Sequence, residues 1–233
     1  MMLGQPEIFD WPGALCPANI AVLPPRRTAG LTESVTNLTQ SVPAIRPPFG
    51  LKLEFGTLIG GKVLAYRALL ASLEGRANRV RVPLFDLWHR ARDERIGAGL
   101  APHSDGARFA DGAQYLTADL SGVTVTGVQG QRHITADFSA YAAGDLNALM
   151  QGGLYFGLGD QPYIASGVWW EGSVADIRCS PTLRRDYDAE PLRLRPVMIA
   201  GLIDDDGGEL MLKRGRYGGP ALDLMERFDG PLP

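Results

Sequence analysis

Apolar and polar positions change period along the chain, and the changes mark its elements. Between residues 60 and 75, Val63, Tyr66, Leu70 and Leu73 recur at intervals of three or four, while Lys62, Arg67 and Glu74 fall on other faces. That spacing predicts an amphipathic helix with one apolar stripe. Gly60 and Gly61 open it and Gly75 closes it. Directly beyond, Val80, Val82 and Leu84 alternate with Arg79, Arg81 and Pro83, the two-residue period of a strand with an apolar and a basic face. Pro83 has no N–H to give a ladder, so this is an edge strand or a strand end. Arg79 and Arg81 share one side of it and are candidate interface residues. Ahead of the helix, Leu51, Leu53 and Phe55 alternate with Lys52 and Glu54. The order is strand, helix, strand, with the helix covering one face of a sheet.

Elsewhere the periods are short and broken by turns. Residues 1–30 are Pro-rich and read as an extended arm or edge strand, with "NIAVL" as its apolar run. Val35, Leu38 and Val42 are interrupted by turn formers. Residues 91–113 carry Gly, Asp and Pro at turn density and read as a long loop. After it come "GVTVTGV", "RHITADF", "GGLYFGLGDQPYIASGVWWEG", "VADIRCSP", "LRLRPVMIAGLI" and "GELMLKRG", separated by turn sequences such as "DQPY" and "DDDGG". These predict a sheet or barrel. "GGPALDLMERF" ends the chain as a strand or a short helix. The fold expected is mainly β (α+β), a β-barrel or β-sandwich with one amphipathic helix packed on it. Its organisation is an arm over 1–30 and one β domain over 31–233.

Composition adds bounds rather than a function. The chain has 233 residues, 45% hydrophobic and 21% charged, with 29 Gly and 17 Pro, which suits many turns and few long helices. A formal net charge of -3 gives no global attraction to nucleic acid or an anionic surface. The first residues, "MMLGQPEIFDWPG", lack the basic and apolar regions of a signal peptide, and no apolar run is long enough to span a bilayer, so no membrane anchor is expected. Cys16 and Cys179 stand alone in the sequence and read as two separate buried thiols.

Catalytic signals are sparse. His89, His103 and His133 have no metal-ligand spacing, and Ser104 sits in a turn-like "HSDG". "LIDDDGGEL" clusters Asp204, Asp205, Asp206 and Glu209 but lacks the order of a calcium loop, so a solvated hairpin tip is the favoured reading. Neither a phosphate-binding loop nor a dinucleotide fingerprint occurs. No catalytic residue, metal or cofactor is expected, and a cell-wall hydrolase is not supported. "SGVWWEGS" is the feature open to a ligand. Neighbours on a strand point to opposite faces, so of Trp169 and Trp170 one belongs to the core and the other is a surface or interface anchor.

The order of these elements resembles the distal tail proteins and related tail-tip components of long-tailed bacteriophages. The resemblance is carried by "LKLEFG", then "YRALLASLEGRANRVRVPLFD", then "GGLYFGLGDQPYIAS", "ADIRCSPTLRRD" and "LRLRPVMIAGLIDDD", in that order over most of residues 50–228. The long loop over 91–113 and the extra "VADIRC" strand depart from the pattern. The resemblance implies a non-enzymatic subunit, made in the host cytoplasm and located in the virion. It would form a homo-oligomeric ring, a hexamer or alternatively a trimer, joining the tail tube protein to the hub or baseplate proteins. Non-specific contact with DNA in the lumen would fall to the basic strand. The alternative from another class is a carbohydrate- or receptor-binding module of the tail tip, motivated by "VWWEG".

Overall fold

A computed structural model describes residues 6–25, 28–33, 39–43, 46–86, 100–101, 115–116, 119–139, 146–212 and 217–228. It is mostly strand, with one long helix and a closed six-stranded barrel, in keeping with the mainly β class. The chain forms two compact units, residues 1–82 with 199–233 and residues 83–198, in place of the arm over 1–30 and single domain over 31–233 that the sequence pattern predicts. In sequence, the second unit is an insertion into the first.

The first unit is a six-stranded sheet with one covering helix. Its strands are β1 (Ile8–Asp10), β2 (Asn19–Leu23), β5 (Gly50–Glu54), β7 (Arg79–Pro83), β16 (Val197–Leu202) and β18 (Ala221–Glu226), in the order β1-β7-β16-β18-β5-β2. A hairpin of β3 (Thr28–Glu33) and β4 (Thr39–Pro43) pairs only with itself among the described strands, and β6 (Leu58–Ile59) pairs with β17 (Tyr217–Gly218). Leu51 and Leu53 of β5 face Leu224 and Leu222 of β18 in register, and all four are fully buried. The C-terminal segment is therefore a strand.

The helix α1 (Gly61–Leu73) lays Val63, Tyr66, Leu69 and Leu73 into the core. Leu70, expected in that stripe, is only half-buried. Successive residues turn by about 100°, and Leu69 takes the position that faces inward while Leu70 falls on the margin. The helix stops because Glu74 (φ 46°) and Gly75 (φ 65°) turn left-handed, and Asn78 N–H returns to the Leu73 carbonyl at 3.0 Å. Phe55 meets Tyr66 edge to face with centroids 5.4 Å apart, and the Tyr66 hydroxyl donates to the Gly208 carbonyl at 2.8 Å.

Two sequence expectations are decided in this unit. The basic strand β7 is interior: β1 lies parallel to it on one side and β16 borders it on the other. Pro83 is its last residue, so the proline marks an end and not an edge. "GELMLKRG" forms no strand over 208–212, and the rest of it lies outside the described residues. Its apolar residues have no facing ladder, and Met211 is 81% exposed.

The second unit is the barrel, of β10 (Asp119–Gly127), β11 (His133–Asp137), β14 (Val174–Ser180), β13 (Gln161–Glu171), β12 (Tyr155–Leu158) and β15 (Tyr187–Arg193), with β15 returning to β10. It also holds the short pair β8 (Leu100–Ala101) and β9 (Tyr115–Leu116) and the single turn α2 (Leu146–Leu149). Apart from Leu100–Ala101, the expected 91–113 loop lies outside the described residues. Alternate residues of the strands fill the interior, among them Val123, Val125, Ile134, Phe156, Tyr163 and Ile177. β15 gave a weak signal, because Tyr187 and Leu192 are its only large apolar residues and stand an odd number of positions apart, which no simple alternation joins. It is a strand because closing the barrel requires a partner for both β10 and β12.

Candidate functional site

β11, β14 and β13 run side by side and antiparallel, and their outward residues make three rows. Gly167, Arg178 and His133 form one row, Trp169, Asp176 and Thr135 the next, and Glu171, Val174 and Asp137 the third. Trp169 is 54% exposed. Its indole lies over Gly167 so closely that a β-carbon there would sit 2.7 Å from Cη2. The indole also lies nearly parallel to His133, at 18° with centroids 5.9 Å apart. His133 is held in turn by Asp176, whose two carboxylate oxygens are each 3.1 Å from Nδ1.

A bulge decides which tryptophan is outside. Ala165 pairs with Cys179 and Gly167 with the next residue back, Arg178, so Ser166 is the extra residue of β13. Before it, Tyr163 and Ala165 face the core; after it, Val168 and Trp170 do. Trp170 meets Phe138 edge to face at 5.0 Å, and Trp169 is left on the surface. The bulged Ser166 hydroxyl donates to the Arg178 carbonyl at 3.1 Å. The alternation expected for the two tryptophans is therefore present, as a core residue and a surface residue. The sequence singled out neither His133 with Asp176 nor Gly167 as part of this patch. A glycine inside a strand was the available signal, because it marks bulges and close approach.

The other candidate residues are engaged locally. Arg79 donates from one guanidinium nitrogen to the carbonyls of Arg76 at 2.7 Å and Asn78 at 2.9 Å, bracing the turn after α1. Arg81 donates to Asp10 Oδ1 at 2.8 Å, across the parallel pair that puts these residues in register. In the acidic turn, Asp205 accepts the Arg76 N–H at 2.9 Å, so it also caps that turn. Beside it a cleft of about 250 Å³ is lined by Leu70, Leu202, Asp206 and Glu209. Among the described residues no group of three His, Cys, Asp or Glu side chains is placed to hold a metal.

Inside the barrel, the Tyr163 and Tyr187 hydroxyls lie 2.9 Å apart, and both donate to Gln161 Oε1, at 3.1 and 2.7 Å. Burial pushes both phenols above their ordinary range. It also pushes the Cys179 thiol up to about 12. Both cysteines are free, but Cys16 is exposed, against the expectation of two buried thiols. It sits in the Pro-rich segment after β1, where Leu15 is the residue turned into the core and Cys16 faces solvent. His89, His103 and Ser104 lie outside the described residues.

Comparison of the sequence with protein-family models and with curated proteins found no match. No helix among the described residues is long and apolar enough to cross a membrane.

Proposed function

We propose that this chain is a structural subunit of a bacteriophage tail tip, forming a ring between the tail tube protein and the distal hub or baseplate proteins. The observation that carries the reading is the sheet of the first unit. It ends in two short strands, β1 and β2, with Ile8 44% and Leu23 43% exposed on them. A strand with one side unpaired offers backbone N–H and C=O groups to another chain, and natural proteins usually blunt such a strand with charge. Two different edges that no other described strand pairs suit head-to-tail association, which closes into a ring when the rotation allows. The ordered motifs over residues 50–228 add the tail-tip context.

The ring is expected to be a hexamer, or alternatively a trimer. Any contact with DNA in its lumen is non-specific and draws little on Arg79 or Arg81, whose guanidiniums already serve the turn and Asp10. Native mass spectrometry of the purified chain, with imaging of assembled particles, tests the reading. Leu23→Lys should leave the subunit folded and shift the ring population toward monomer. A monomeric mass inside the assembled particle would overturn the proposal.

A further inference from the structure

We propose that the outer face of β11, β14 and β13 is a binding site for a neutral carbohydrate, with Trp169 as its stacking platform. Among the residues of the barrel unit whose burial is described, Trp169 is the only Phe, Tyr or Trp with an exposed side chain. A single exposed apolar residue needs no explanation in itself. Here, however, the ring is built into place. The bulge at Ser166 turns Trp169 outward, Gly167 leaves room for the indole to lie over the strand, and Asp176 holds His133 parallel to it. An aromatic face fixed in this way loses little freedom when a ligand stacks on it, which is the main cost such a site must otherwise meet.

The chemistry around the ring selects the ligand. A pyranose offers an apolar face of C–H groups and a rim of hydroxyls, matching an indole plane bordered by carboxylate and imidazole groups that accept and donate hydrogen bonds. Asp176, Glu171 and Asp137 stand on this face against the single cation Arg178, so the local field disfavours phosphates, nucleic acid and acidic sugars. A protein partner is the other class that uses exposed tryptophan. Stable protein interfaces bury about 800 Å² per partner around an anchor cluster, whereas here only Val174 accompanies Trp169 as an exposed large apolar side chain on these three strands. The site does not rest on ring formation, because all of its residues come from one barrel.

The test is a printed array of neutral and acidic oligosaccharides probed with the full-length chain, followed by titration of any retained sugar with tryptophan fluorescence as readout. Neutral sugars should be retained and acidic ones not. Trp169→Ala should weaken binding at least tenfold, Trp169→Phe less, and Asp176→Asn severalfold, each with an unchanged far-ultraviolet spectrum. Retention of no neutral sugar by the folded chain overturns the proposal, as does binding that survives Trp169→Ala unchanged. A single-stranded oligonucleotide or an Arg-rich peptide that competes for Trp169 when no sugar does would equally overturn it. Ring formation measured on the same variants should be unaffected, which separates failure here from failure of the tail-tip reading.

Discussion

In the barrel unit every strand of the sheet has a neighbour on each side, because β15 returns to β10, whereas the sheet of the other unit stops at β1 and β2. Closure satisfies the backbone groups of the barrel within the chain and frees its outer face for side-chain chemistry. The open sheet carries its helix and leaves two edges, β1 and β2, that no other described strand pairs. The same chain thus holds one sheet that closes on itself and one that stays open. The difference comes from strand connectivity, since both regions bury apolar side chains.

Breaking the open unit is the largest effect expected. Leu69→Ala removes a buried side chain between helix and sheet and should cost roughly 2–5 kcal/mol, while half-buried Leu70→Ala should cost about 1–2 kcal/mol. Urea denaturation of the two variants measures both. Equal losses would mean that the helix presents a different face to the sheet.

Alkaline pH should separate the units by a margin that becomes comparable only at the top of its window. Cys179, Tyr163 and Tyr187 are buried acids of the barrel held in their neutral form, against Tyr66 with a raised value among the described residues of the sheet unit. A group whose folded value is raised gives stability that is fully present below its unfolded value and is lost as pH rises toward the folded one. For Cys179 the window runs from about 9 to about 12, and the loss is about 1.4 kcal/mol per pH unit at most. Thermal unfolding followed by barrel tryptophan fluorescence should show the fall, and Cys179→Ala should make it shallower. A slope identical in that variant would show that the thiol is not held neutral by the fold.

The smallest effect sharpens the reading of the basic strand. Arg81→Gln breaks a pair whose Asp10 side chain is 83% exposed, so it should cost less than about 1 kcal/mol and depend on salt. A much larger loss, measured by the same denaturation, would place Arg81 in an interaction beyond Asp10.

Much of this was legible in the residues. The period of α1, the alternation of β5 and β7, and the one-in, one-out placement of Trp169 and Trp170 follow from local spacing, because burial on one face repeats with the geometry of each element. The existence of β15 was not legible, since its polar residues pair through a ladder of backbone groups that leaves no trace in side-chain pattern. The surface patch was legible only in part. His133, Asp176 and Trp169 come from three strands, and nothing local records which strands will be neighbours.

By itself, then, the sequence determined a mainly β chain with one amphipathic helix, and where each apolar stripe would lie. Only the tertiary structure decided that β7 is interior, through strand order set by long-range pairing with β1 and β16. It also decided that Trp169, and not Trp170, meets solvent. One extra residue, Ser166, shifts the register of β13 against β14, and with a side-chain period of two such a shift exchanges the faces of every residue after it.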